Sequence, residues 1–256
     1  MQPYRENSSS RFWEHLVSEY TTKNLSFSND ILVAIAGVAR RLSPVFGTYL
    51  AGHWQYSLPL GLMWTSSSCH PRPTEYTAPT FCWASQIGPV RFETHLEHES
   101  LECTVVKVDC TPGDADIFGS VTGGYIKLKG QLTECASGEA SRLPNAPAKG
   151  ELEKGEETAK FIPDTMDDHH HPSGVPLYCF QICSYPDVEF YHDEYGTRFP
   201  PWDPTSQDVR TASCYSKALI LRRAGGLPPK FQRLGFARRI NKRWFEGQVE
   251  SEITII

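Results

Sequence analysis

The densest run of chemistry-bearing side chains is Asp167-Asp168-His169-His170-His171. Two carboxylates and three imidazoles are ligand types suited to Zn²⁺ or Ni²⁺, and Asp167, His169 and His171 are the set such a site would use. Adjacent residues on an extended chain point in alternating directions, however, and the run sits in a Pro/Gly-bounded loop. A metal is therefore the alternative reading, and no cofactor is implied. His53 lies beside Trp54, with no Ser, Cys or Asp partner placed next to it by spacing, and reads as a packed core or rim residue. The eight cysteines contain no C-x-x-C pair, and Cys179 and Cys183 have no companion pair at metal-ligand spacing. They read as small apolar residues. Gly119, Gly123 and Gly124 lack the spacing of a phosphate loop. No triad or pair of carboxylates is legible, so no catalytic residue is assigned.

Two groups remain as candidates for binding. Trp54 and Trp83 are large aromatics on proline-stiffened backbone, which plug a core or, in the minority reading, present a surface. Arg238, Arg239, Lys242 and Arg243 form a basic run that suits an acidic partner or a phosphate, with a solvated face as the plainer reading.

The elements that must hold these residues divide into two parts. Residues 1–90 read as a helical unit with an aromatic and proline-rich closing segment. Phe12, Trp13, Leu16, Val17 and Tyr20 recur at helical spacing. So do Ile31, Leu32, Ile35, Ala36 and Ala39, with Pro44 as the stop and Gly37 as a point of close approach. Gly47 to Tyr56 predicts a third helix. Phe81 and Trp83 lie between Ala78-Pro79 and Gly88-Pro89.

Residues 91–256 read as β-rich. Tyr125 to Leu132 alternates cleanly, with Ile126, Leu128 and Leu132 on the inner face. Leu177 to Cys183 is a strand. Tyr215 to Arg222 and Lys230 to Phe236 are a hairpin around Gly225-Gly226-Leu227-Pro228-Pro229. Glu252 to Ile256 is a terminal strand that needs a partner. A flexible insertion is expected at about 136–160, and a short helix at 238–245, anchored by Trp244 and Phe245. The expected fold is α+β: an N-terminal helical unit packed on a mostly antiparallel β-rich C-terminal unit, with long loops.

Bulk properties narrow the functions. The chain has 256 residues, is 39% hydrophobic and carries a net charge of −5. That length suits one large or two small domains, and the charge argues against general nucleic-acid binding. No stretch reaches the roughly 20 apolar residues of a membrane span, and the polar N-terminus lacks a secretory signal. A cytoplasmic, intracellular protein is the expectation.

Several pieces in this order resemble fungal heterokaryon-incompatibility (HET) domain proteins. They are Trp13 to Tyr20, Leu25 to Ala39, Tyr49 to Trp54, Leu62-Met63-Trp64, Arg72-Pro73 and Tyr76 to Ser85. The Gly123 to Gly130 strand and the closing Ile253 to Ile256 belong to the same set. The family has a Pro-Ser-Trp-Ser-Trp-Ala-Ser run where this chain has Pro79 to Ser85, with Phe81 for the first tryptophan and Cys82 for the second serine.

The resemblance covers the region C-terminal to the HET core; the Arg/Gly-Trp-x-x-Gln-Glu signature of the core has no counterpart here. It implies a fungal protein of non-self recognition and programmed cell death, reduced to a fragment with a non-enzymatic scaffold or recognition role. The implied partner is another protein or the missing core. The alternatives are an enzyme fragment related to nucleotide-cleaving TIR-like cores, and a metal-binding module using the Asp167–His171 run.

Overall fold

The computed structural model describes residues 8–23, 25, 27–68, 70–93, 99–138, 150–168, 175–186, 191–192, 198–199 and 214–256. Helices α1 (Ser8–Thr21) and α2 (Ile31–Phe46) come first. Short strands β1 (Tyr49–Leu50), β2 (His53–Trp54), β3 (Trp64–Ser66) and β4 (Val90–Phe92) follow. Then come β5 (Ser100–Leu101), β6 (Cys103–Pro112), β7 (Val121–Ser137), β8 (Gly150–Lys154), β9 (Glu157–Pro163) and β10 (Leu177–Pro186). The series ends with β11 (Tyr191–His192), β12 (Arg198–Phe199), β13 (Cys214–Gly225), β14 (Lys230–Asn241) and β15 (Glu250–Ile255). The fold is α+β, with a helical N-terminal part and a mostly antiparallel strand-rich remainder. No helix among the described residues is long and apolar enough to cross a membrane.

The helical periodicities hold where contacts are local. On α1, Trp13 and Val17 are buried, while Phe12 is 52% exposed and lies off the core stripe. Thr21 closes α1 by donating to Ser18 O (3.1 Å), and its oxygen accepts from Val90 N of β4 (3.0 Å). On α2, Ile31, Leu32, Ile35, Ala36 and Ala39 are buried, as their spacing predicts. Two details differ. Pro44 does not stop the helix, which runs on to Phe46 and ends at Gly47 (φ 80°). A proline at 44 leaves the Arg40 carbonyl without its usual helical donor, and Ser43 Oγ supplies one instead (2.9 Å). Gly37 meets nothing: a Cβ there would have no neighbour within 4 Å.

The predicted third helix is a hairpin. Tyr49 pairs with Trp54 and Leu50 with His53, around Ala51 (φ 46°) and Gly52 (φ 92°). Positive φ at both central residues is the two-residue turn that matches strand twist. Side chains from distant segments hold it. Gly52 O accepts from the indoles of Trp13 (2.9 Å) and Trp83 (2.8 Å), and Ala51 O accepts from Cys82 Sγ (2.7 Å). A Cβ on Gly52 would lie 2.7 Å from Trp83 Nε1, so only glycine fits.

The strands form a closed circuit. β7 pairs with β15 along one stretch and with β10 along another. β10 pairs with β13, β13 with β14, and β14 with β15, the last contact parallel. Closure leaves the central strands without a free edge. β13 is buried on both faces: Leu219 and Leu221 belong to one apolar cluster, Ala218 and Ile220 to another. The first cluster runs from Trp13 and Trp54 through Trp64 and Phe81 to Phe180, Phe236 and Ile255. Residue 90 therefore does not separate one core from another, and strands β1 to β3 already lie before it.

Much of the stretch expected as a flexible insertion, 136–160, is strand where it is described. β7 continues to Ser137, and residues 150–160 lie in the β8–β9 hairpin, whose Leu152, Ala159 and Phe161 are buried. Residues 139–149 lie outside the described residues.

Candidate functional site

β14 carries arginines in two contrasting settings. Arg233 has no exposed surface. Its Nε and Nη2 donate to the Asp164 carboxylate (2.9 and 3.2 Å), Nη1 to Leu62 O (2.6 Å) and Nη2 to Trp64 O (2.5 Å). The guanidinium also stacks 3.6 Å from the Trp64 ring centre. A buried charge is tolerable only when paired and saturated with hydrogen bonds, and this one is. Burial pushes Asp164 up to about 6 against the lowering effect of Arg233, and burial lowers Arg233. The cluster continues to Asp168, which accepts from Arg72 Nη2 (2.6 Å) and Thr165 Oγ1 (2.7 Å). Nothing in the sequence marks Arg233, because its acceptors lie on β3, on the preceding turn and after β9. The arrangement clamps the helical part to the strands and offers no open reactive atom.

The metal reading meets the same arginine network. Asp167 Oδ2 accepts from the backbone N–H of Arg72 (2.8 Å), and Asp168 is the buried partner of its side chain. His169 and His171 lie outside the described residues. Among the described residues no group of three His, Cys, Asp or Glu side chains is placed to hold a metal ion.

Trp54 and Trp83 are fully buried, which corrects their reading as binding residues. Trp54 packs edge-on against Trp13, Phe46 and Tyr49, with centroids 5.4, 5.2 and 5.2 Å apart. Trp83 spends its polar N–H on the hairpin turn. His53 is buried too, and burial, aided by the positive charge of Arg233, lowers its pKa to about 3, so the ring is neutral. Cys82, Cys103, Cys135, Cys179 and Cys183 are buried free thiols, and Cys214 is exposed. Burial pushes the Cys82, Cys103 and Cys183 thiols upward, away from nucleophilic thiolate.

The basic run is not a helix. β14 continues through Asn241, and a single 3₁₀ turn (Lys242–Trp244) follows, capped by Asn241 Oδ1 accepting from Arg243 N (3.1 Å). The four cations therefore diverge. Lys242 Nζ bridges Glu102 (2.9 Å) and Ser184 Oγ (3.0 Å), Arg238 pairs with Glu93 (2.5 Å), and Arg239 stacks on Tyr215 at 4.1 Å. Arg243 is exposed at the turn.

Arg238 and Arg239 share one feature: both line a groove of about 620 Å³ between β9 and β14. These strands pair only at Gly235–Pro163 and Phe236–Ile162 and then separate. The groove is walled by Glu157 to Ile162 on one side and by Phe236, Arg238, Arg239 and Asn241 on the other, with Tyr215 and Lys160 present. Glu157 closes one end by accepting from Asn241 Nδ2 (3.3 Å) and Trp244 Nε1 (2.6 Å). Two diverging strand edges bordered by three cations and an aromatic ring can take an extended, acidic segment by adding backbone hydrogen bonds. No family model, curated protein or solved structure matches this chain.

Proposed function

We propose that this protein is a non-enzymatic scaffold or recognition unit that works through contact with a protein partner. That is the role implied by its resemblance to the region C-terminal to the core of fungal HET-type proteins of non-self recognition and cell death. The observation that carries the reading is the groove where β9 leaves β14, with Lys160, Arg238 and Arg239 at its rim. Its occupant is an extended segment with acidic and aromatic side chains. Other ionisable groups fit the same view: Arg233, Asp164 and Asp168 are held in structure, and His53 and the thiols of Cys82, Cys103 and Cys183 are neutral.

The test is fluorescence anisotropy with a labelled Glu/Tyr-rich peptide, comparing the native chain with Arg238→Glu/Arg239→Glu. Saturable binding that falls at least about tenfold on charge reversal supports the groove. No saturable binding by the native chain, or equal binding by both proteins, overturns it. Release of nicotinamide from NAD by the purified chain would overturn the non-enzymatic part.

A further inference from the structure

α2 buries one face and leaves the other apolar. Val33, Val38 and Val45 are 46%, 42% and 77% exposed, and Phe27, just before the helix, is 71% exposed. Ala34, Gly37 and Pro44 are exposed between them. The face is bounded by charges of opposite sign, Asp30 at its start and Arg41 one turn from its end, both exposed. Arg40 is held to the side by Asp116 (2.5 Å) and the Phe118 ring, which leaves Arg41 on the stripe.

We propose that a second copy of this chain docks on this face, with the two α2 helices antiparallel about a two-fold axis between residues 35 and 36. That single axis pairs most of the exposed stripe with suitable mates, Val45 lying beyond the paired stretch. Asp30 meets Arg41 of the other copy, Val33 meets Val38, Ala34 meets Gly37, and Phe27 meets Pro44. A two-fold interface must be self-complementary in this way. Charge selects the antiparallel direction, because a parallel pair would set Asp30 against Asp30 and Arg41 against Arg41. The antiparallel pair also sets each helix start beside the other's end, the favourable alignment of helix dipoles. The open space at Gly37 lets the backbones approach closely where the helices cross.

Sedimentation of the full chain over micromolar to submillimolar concentrations tests this. The native chain is expected to show a reversible monomer–dimer equilibrium. Asp30→Arg alone and Arg41→Asp alone each weaken it by about tenfold or more, because the two-fold repeats each lost pair. The exchange Asp30→Arg/Arg41→Asp restores dimerisation.

Gly37→Leu separates docking from folding. Its Cβ enters open space and it replaces glycine in a helix, so the monomer melts higher while the dimer is lost. A native chain that stays monomeric throughout, or a double exchange that dimerises no better than the single reversals, overturns the proposal. So does a Gly37→Leu variant that dimerises like the native chain.

Discussion

Arg233 and the pair Arg238/Arg239 sit within one strand yet belong to different worlds. Arg233 faces the seam between strands and helical part, where backbone carbonyls and a carboxylate saturate its guanidinium. Arg238 and Arg239 line the groove where β14 has parted from β9, exposed, with Arg238 paired to Glu93 and Arg239 stacked on Tyr215. The lesson is that the role of an arginine is set by the acceptors that surround it, not by its residue type. Where carbonyls already converge, the charge is buried and structural; where two strands diverge, it stays at the surface.

Four changes sharpen or break this contrast. Arg233→Met removes the saturated partner and leaves Asp164 buried with an uncompensated charge. It is expected to cost about 3–5 kcal/mol in urea-induced unfolding, and a loss under about 1 kcal/mol would end the contrast.

His53 gives the next largest effect, through pH. Its folded pKa, about 3, lies below its ordinary 6.5, so the unfolded chain binds the proton more readily. This group's contribution is present above about pH 6.5 and is lost progressively as pH falls toward 3. Asp164, raised to about 6, has the opposite sign between its ordinary 3.8 and 6. Comparison with His53→Gln isolates the histidine: the variant should lose about 2–3 kcal/mol less than the native chain between pH 7 and about pH 4. Parallel stability curves would refute it.

Gly52→Ala drives a methyl into Trp83 Nε1 at positive φ and should cost about 1–3 kcal/mol, read as a lower melting temperature. At the other extreme, Arg238→Ala/Arg239→Ala should change stability by no more than about 0.5 kcal/mol, because these are surface contacts. A larger loss would make those arginines structural after all.

Much of this was legible in the residues, and the misses share a cause. The apolar period of α2 and the alternation of Tyr125 to Leu132 in β7 appear as read, since each is fixed by neighbours in the same element. Tyr49, Leu50, His53 and Trp54 share one helical face, yet the same spacing pairs 49 with 54 and 50 with 53 across a two-residue turn. Arg238, Arg239, Lys242 and Arg243 repeat that spacing, and there too the helix is absent. In the first case the choice was made by Trp13, Trp83 and Cys82, which reach the turn from 31 to 39 residues away. The groove was illegible for a related reason: it exists because two strands stop pairing, and register is a property of partners.

The amino-acid order alone determined the apolar periods of α1 and α2, the alternation of β7, and that the whole is α+β. Only tertiary structure decided that the strands close on themselves, that Trp54 and Trp83 are core, and that Arg233 is a clamp while Arg239 borders a groove. Periodic burial is written within a few turns of chain. The satisfaction of a buried polar group depends on acceptors that folding alone brings near, up to 171 residues away for Arg233.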